Sequence, residues 1–295
     1  MSGKDGPRDE VGDGVGSGPK GRVNATRALR TLRADPALAP SVQHIEAHET
    51  VASTNGVALD DEREALVVVA LEQTAGRGRL GSAWASPKGG LYLSYAPPRR
   101  LVPMRPTDMA VLAGLACADS IALALARAGV ETPDVRLKWP NDVLLRHGKV
   151  AGVLVQSKSP AVSTDGSART VVGIGVNVNT PIVVPRLFEG LGAQPIPPVS
   201  MREVAGAPVP LEPLLVDIVR ALVGRLEVGF VRKVLEEYKA RCATLGAGVT
   251  FTEGSATTSA RAVDVDADGA LVVELADGSR RRVSSGEVRH LRESG

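Results

Sequence analysis

The sequence predicts an α+β fold: a mixed central β-sheet packed by helices, followed by a small β domain. Three observations lead there. Strand-length runs at Ala65–Leu71, Leu91–Ala96, Val135–Trp139, Lys149–Gln156 and Thr170–Val178 are joined partly by tight turns, which makes hairpin neighbours rather than a purely parallel sheet. Helical spacing at Pro106–Ala128, Leu211–Phe230 and Val231–Leu245 supplies a packing layer, with Gly246 as a C-cap signal. From about residue 247 the pattern shortens to strand candidates at Val249–Phe251, Ala260–Val265, Ala270–Leu275 and Arg280–Val283. The turns between them, Asp266-Ala267-Asp268-Gly269 and Ala276-Asp277-Gly278-Ser279, contain Asp-Gly hairpin signals. Residues 247–295 therefore read as a small β-barrel or sandwich.

The balance of 43% hydrophobic and 23% charged residues is that of a globular chain, not a disordered one. Aromatics are 3%, so the core falls to Val, Leu, Ile and Ala. A net charge of +2 argues against a dedicated nucleic-acid binder, which shows a strong basic excess. Cys117 and Cys242 sit in helical segments without metal-ligand spacing. They read as buried free thiols, as a reducing cytosol permits. The N-terminus lacks the cationic stretch and apolar core of a secretory signal. The apolar window Ala110–Ala128 contains Asp119 and Arg127, and helical periodicity gathers Asp108, Asp119, Ser120 and Arg127 on one face. That predicts an amphipathic core helix, not a membrane span.

Residues 1–22 carry almost no large apolar side chain and are expected to be a disordered tail. Residues 23–40 allow one short helix broken by Pro36, too little for a helix-turn-helix module. Val42–Glu46 is a strand candidate. Ser53-Thr54-Asn55 precedes a short helix through Ala58 and Leu59. These residues either cap that helix or, with its free N–H groups, bind a small polar ligand. Val143–Leu145, the turn Arg146–Gly148 and Lys149–Gln156 read as a hairpin, and Thr170–Val178 as a central strand. Ser157–Arg169 reads as a surface excursion and 180–210 as a long connection. The domain plan is a tail (1–22), a larger domain (23–246) and a small β domain (247–295).

The most unusual stretch follows the apolar strand Ala65–Leu71. Between Gln73 and Trp84 it places Gly76, Gly78 and Gly81 around Arg77 and Arg79. Glycines admit close approach of the backbone to a ligand, and two cations on one side of an extended loop suit an anion such as phosphate or carboxylate. A solvated basic turn is the plainer alternative. Lys138 on an otherwise apolar strand is either a snorkelling edge residue or a second cation for the same anion. Pro140-Asn141-Asp142 is a turn, and Asn177 either satisfies a backbone group or faces a ligand. No nucleophile–His–Asp grouping is present, and His44, His48, His147 and His290 form no cluster.

Taken together, STN at 53–55, QTAGRGRLGSAW at 73–84, LYLS at 91–94, KWPNDVLL at 138–145, KVAGVLVQ at 149–156 and GIGVNVN at 173–179 resemble the biotin–protein ligase family. The likeness extends over about 42–290. The N-terminus departs from the bifunctional repressor–ligases, whose winged DNA-binding domain it lacks, and so resembles the ligase-only class. The resemblance implies a class II synthetase-like biotin–lipoate ligase fold with a small SH3-like C-terminal barrel. It implies a ligase using ATP, Mg²⁺ and biotin to form biotinyl-5′-AMP, then biotinylating a lysine of a biotin carboxyl carrier domain. Both nucleophiles then come from substrates, which accounts for the missing catalytic grouping.

By the same resemblance Ser53, Thr54, Asn55 and Gln73 bond the biotin ureido ring and neighbouring atoms. Arg77, Gly78 and Arg79 reach the carboxyl and phosphate, Lys138 contacts biotin and adenylate, and Gly152 lets the bicycle approach the backbone. Trp84 packs on adenine, with Asn177 on the other side. Asn141 and Asp142 shape the Lys138 turn or help hold Mg²⁺. The loop is expected to be mobile when empty and to order at residues 73–85 when biotin binds. A monomer or weak homodimer, cytoplasmic, with no nucleic-acid or membrane partner completes the expectation. The alternatives are a lipoate–protein ligase and a non-enzymatic biotin-sensing or nucleic-acid-binding regulator; GRGRLG and KWPND favour biotin.

Overall fold

The computed structural model describes residues 23–102, 104–158, 168–181, 196–253, 256–284 and 288–290. The tail 1–22 and parts of the 157–169 and 180–210 connections fall outside them. Seven strands form the main sheet: β1 (His44–Val51), β2 (Leu66–Gln73), β3 (Leu91–Ala96), β4 (Val135–Lys138), β5 (Asp142–Leu145), β6 (Gly148–Lys158) and β7 (Arg169–Val176). Their order is β1-β2-β3-β7-β6-β5-β4, so β7 is central, as the sequence predicts. β1 and β2 are parallel and every other neighbouring pair is antiparallel, a mixed sheet.

Strand alternation divides the sheet into two faces. Val67, Val69, Leu71, Leu93, Tyr95, Val172, Ile174, Val176 and Val153 belong to the main core. Over them lie α3 (Pro106–Arg127) and α5 (Leu211–Val228). α1 (Ala25–Arg33) is pinned to the start of α5 by Arg27 on Glu212 and by Asn24 N on Glu212 Oε2 (2.9 Å). On the other face the short α2 (Thr54–Asp60) makes a second core of Ala58, Leu66, Val68, Ala96 and Val171. That face also carries Gly152, Leu154, Gln156, Gly173, Gly175 and Ser94. Register sets Gly173 opposite both Ser94 and Leu154, and Gly175 opposite Gly152.

Two expectations are corrected here. Beyond its first turn, α3 shows a solvent face only in its last turns, where Asp119 and Ala122 are half-buried and Leu123, Ala126 and Arg127 exposed; every residue from Val111 to Ala118 is buried, as are Asp108 and Ser120. Its polar residues are paired instead, Asp119 with Arg225 and Arg241 (2.5 Å each), Asp108 with Arg105 (2.9 Å) and Arg127 with Asp217. Ser120 bonds Ala116 O (2.8 Å) within the helix. The helix expected to reach Leu245 is α6 (Arg232–Ala240) and stops at Ala240. Beyond it the backbone turns to the β4 edge, where Leu137 N donates to Arg241 O (2.9 Å) and Ala243 N to Leu137 O (2.7 Å). α4 (Met201–Ala205) is a single turn closed by a capping box between Ser200 and Glu203.

The second sheet is antiparallel and five-stranded, in the order β11-β10-β9-β8-β12. It comprises β8 (Gly248–Glu253), β9 (Ala256–Val265), β10 (Leu271–Glu274), β11 (Arg280–Val283) and β12 (Val288–His290). Both Asp-Gly turns form, with Gly269 and Gly278 at φ 76° and 80°. β12 is absent from the sequence expectation; at three residues it is too short to show alternation. The two sheets share one core, and Trp139, buried at their junction, donates from Nε1 to Gly269 O (2.9 Å).

Candidate functional site

A cavity of about 500 Å³ opens on the face shared with α2. Ser53, Thr54, Asn55, Gln73, Arg77, Gly78, Arg79, Trp84, Lys138, Asn141 and Gly152 all line it. They arrive from the start of α2, the end of β2 and the glycine-rich loop after it, the end of β4 with the turn to β5, and the interior of β6.

One end of the cavity is a hydrogen-bond network. Ser53 caps α2, its side chain accepting from Gly56 N (3.4 Å). Gln73 Oε1 accepts from Thr54 N (2.8 Å) and from the Thr54 hydroxyl (3.1 Å), while Gln73 Nε2 donates to Ser86 Oγ (2.9 Å). Asn55 donates to Gln156 Oε1 (2.7 Å) and Leu154 O (3.3 Å), and its oxygen lies 2.5 Å from Ser94 Oγ. A Cβ at Gly173 would lie 2.2 Å from Asn55 Oδ1, so glycine there makes the room for Asn55.

The other end is charged. Among the described residues, Arg77, Arg79, Lys138, Lys149 and Arg289 line the cavity against one carboxylate, Asp142. Asp142 is 2.7 Å from Lys149 Nζ and 3.9 Å from Lys138 Nζ. Burial lowers the pKa of the Arg79 guanidinium, and Asp142 opposes that shift. Lys138 also donates to Val288 O (3.1 Å), so the small β domain reaches into this end. The geometry offers a polar pocket for an uncharged ring beside a cationic mouth for phosphate and carboxylate.

The glycine-rich loop is a hairpin rather than an extended strap. Isolated bridges join Gln73 to Ser86 and Arg77 to Ala83, and Arg79–Gly81 makes a 3₁₀ turn with Leu80 at φ 54°. The arginines therefore do not share an extended register; Arg77 is exposed and Arg79 half-buried. The hairpin lays the Trp84 indole on the sheet, so close that Cβ atoms at Gly152 and Gly175 would lie 2.9 and 2.7 Å from it. Lys149 Nζ stands 4.9 Å from its ring centroid. The close approach at Gly152 is thus made by Trp84. Asn177 does not join the cavity lining; it is buried, and its Nδ2 donates to Lys149 O (3.3 Å). Asn141 Nδ2 likewise holds Val153 O (2.8 Å).

Sequence reasoning assigned no role to Lys149, Ser94, Gln156 or the β12 segment. Lys149 stood in the quoted KVAGVLVQ and carried the signal used for Lys138, a lysine on an apolar strand. Ser94 is the polar residue of LYLS, fully buried. His290 was not readable, because its placement depends on packing between the sheets. Burial, with Lys138 nearby, pushes the His290 imidazole down to about 4, against a smaller upward pull from Asp142. The unfolded chain then binds a proton that the folded chain refuses, so His290 costs stability as pH falls from about 6.5 toward 4. His290→Gln is expected to lose less melting temperature than wild type between pH 7 and pH 4.5. Equal losses in calorimetry would contradict this environment.

Burial also raises the thiol of Cys117 to about 12 and that of Cys242, and both are free, as the sequence predicts.

The sequence profile of the Biotin/lipoate A/B protein ligase family matches residues 47–179, and that of the Biotin protein ligase C terminal domain matches 244–291. A biotin--[acetyl-CoA-carboxylase] ligase of Paracoccus denitrificans is 31% identical over 226 residues, 75% of this chain and 88% of that protein. One from Mycobacterium tuberculosis is 31% identical over 240 residues, 78% and 80% of the two. Among solved structures, biotin protein ligase from Aquifex aeolicus in complex with biotin and ATP superposes with TM-score 0.67 at 25% identity, covering 85% of this chain and 100% of that one. The Leishmania major enzyme in complex with biotinyl-5-AMP gives 0.57 at 27% identity, covering 82% and 99%. With both profiles and most of its length matched in this way, the chain belongs to the biotin–protein ligase family.

Proposed function

We propose that this chain joins biotin to ATP as biotinyl-5′-AMP and then passes biotin to a lysine of a biotin carboxyl carrier domain, in the cytoplasm. The observation that carries the reading is the placement, among the described residues, of five cations and one carboxylate at the mouth of a cavity whose inner end is an uncharged hydrogen-bond network. A biotin carboxylate oxygen attacks the α-phosphorus and pyrophosphate leaves. The lysine amine then attacks the acyl carbon, AMP leaves and the amine loses its proton. The protein's share is positioning and charge: Arg77, Arg79, Lys138 and Lys149 offset the repulsion between carboxylate and phosphates. Thr54 and Gln73 face the ureido ring, and Trp84 covers the bound adenylate against water. ATP-dependent labelling of a carrier domain tests the whole reading.

Mg²⁺ fits this donor set only as an ion carried largely by the nucleotide. Among the described residues no group of three or more His, Cys, Asp or Glu side chains could hold a metal, and Asp142, with Asn141 beside it, is the available carboxylate. The ion would supply charge neutralisation at the phosphates.

Arg79→Ala should weaken retention of the adenylate by about 2 kcal/mol, the value of a charge-assisted hydrogen bond. Free biotinyl-AMP should appear in solution during turnover. Release no greater than wild type would remove Arg79 from this role. The 73–85 hairpin is proposed to tighten around bound biotin, so its amides should exchange more slowly with biotin present. Unchanged exchange would rule that out.

A further inference from the structure

We infer that Leu80 is a contact residue for the carrier, and that the carrier seats an apolar side chain from beside its acceptor lysine in a second cavity behind Leu80. The inference rests on the biotin-transfer reading and names the surface on which its second step is recognised.

The tip of the glycine-rich hairpin carries a residue that the turn itself does not favour. Ser82 N donates to Arg79 O (3.0 Å), and the two residues between them, Leu80 and Gly81, both stand in the left-handed region, at φ 54° and 77°. Asn-Gly or Asp-Gly suits such a turn, whereas the Cβ of a leucine is strained in it. Burial does not compensate. Leu80 is 73% exposed, the most exposed of the four large apolar side chains at the surface of the described residues. The other three, Leu123, Val228 and Val231, line neither cavity. Strain and apolar exposure at one tip mark a residue kept for a contact outside its own chain.

Its place decides the partner. Leu80 lines the main cavity on one side of the tip and a cavity of about 430 Å³ on the other. Pro106, Ala110, Val111, Val153 and Val155 give this second cavity an apolar wall. Arg77 and Arg79 also line it, and among the described residues no Asp, Glu or Lys does. It therefore suits an apolar side chain with acidic neighbours and disfavours a basic one. In the proposed reaction biotin and ATP combine inside the main cavity. The carrier alone must lie across its mouth, because its lysine amine reaches the acyl carbon from outside. The hairpin tip forms part of that mouth, so a lysine entering past it lays the adjoining residues over Leu80 and the second cavity.

Three variants and two acceptors test this. Leu80→Asn removes the apolar side chain and suits the left-handed turn. It should raise the KM for a biotin carboxyl carrier domain about tenfold. Its biotin- and ATP-dependent pyrophosphate exchange should stay within about twofold of wild type. So should its transfer to hydroxylamine, whose nitrogen attacks the acyl carbon to give biotin hydroxamate, releasing AMP and a proton. Leu80→Met keeps an apolar side chain and should leave all three near wild type. Ala110→Met narrows the second cavity from the α3 side and should raise the carrier KM with the other two unchanged. A carrier KM unchanged in Leu80→Asn or Ala110→Met overturns the inference while leaving the biotin reading in place. Exchange and hydroxylamine transfer that fall together with carrier labelling overturn it in the same way. A wild-type chain that neither activates biotin nor labels the carrier overturns both.

Discussion

Lys138→Ala is expected to lose biotin- and ATP-dependent pyrophosphate exchange by a hundredfold or more. The estimate follows from the usual cost, ~10²–10³ in rate, of deleting one preorganised group aimed at developing charge. Lys138 is placed for this by both sheets. β4 carries it to the cavity, the buried Trp139 beside it is anchored through Gly269 O and through Thr244 Oγ1 to its backbone N–H (3.0 Å), and Val288 O accepts from its ammonium. Lys149→Ala should act on the same step, since Lys149 shares Asp142 with Lys138 and stands over Trp84. The double variant should be little worse than the worse single one, because two cations around one carboxylate act as a unit. Near-normal exchange in Lys138→Ala would remove it from the first step.

Gly173→Ala is expected to cost both binding and stability. Its methyl group would fall 2.2 Å from Asn55 Oδ1, well inside any real contact. Asn55 would have to leave, breaking its bonds to Ser94 and Gln156 inside a buried network, a loss of about 2–3 kcal/mol. The KM for biotin should rise at least tenfold and the melting temperature fall by roughly 5 °C. Gly224→Ala is the contrast. It lies on α5 with nothing within 4 Å of its added Cβ, and should leave binding unchanged while holding or raising stability. If the two variants behaved alike, the crowding at Gly173 would not be what fixes Asn55.

The main sheet was legible because its strands are bounded by turns and its faces follow strict alternation. The same rule that makes Val172, Ile174 and Val176 core residues sends Gly173 and Gly175 to the site. The site residues were legible as a set of polar interruptions in apolar strands, and Lys138 was found that way. Lys149 carried the same signal and was left without a role, because a lysine just after a Gly turn also reads as surface. Asn177 takes the plainer of its two readings, satisfying a backbone group. Its position at the end of β7 pointed to the cavity, but the carbonyl of Lys149 lies within reach and takes its amide. The direction of Trp84 was beyond sequence reasoning. It depends on the tight Arg79–Gly81 turn with Leu80 in a left-handed conformation, which no glycine at that position announces. For α6, helical spacing ran on past Ala240, but pairing with β4 replaced the helix because Leu137 needed backbone partners on its open edge. The role of β12 arises from contact between the two sheets, which a pattern within one segment does not contain.

The central claim is tested most directly by incubating the chain with biotin, ATP, Mg²⁺ and a biotin carboxyl carrier domain, followed by mass spectrometry of the carrier. The account predicts one biotin in amide linkage on a single lysine, dependent on ATP and replaced by no reaction when lipoate is supplied instead. A carrier that remains unmodified while wild-type chain is folded and saturated with both substrates, or one modified equally well with lipoate, would contradict it.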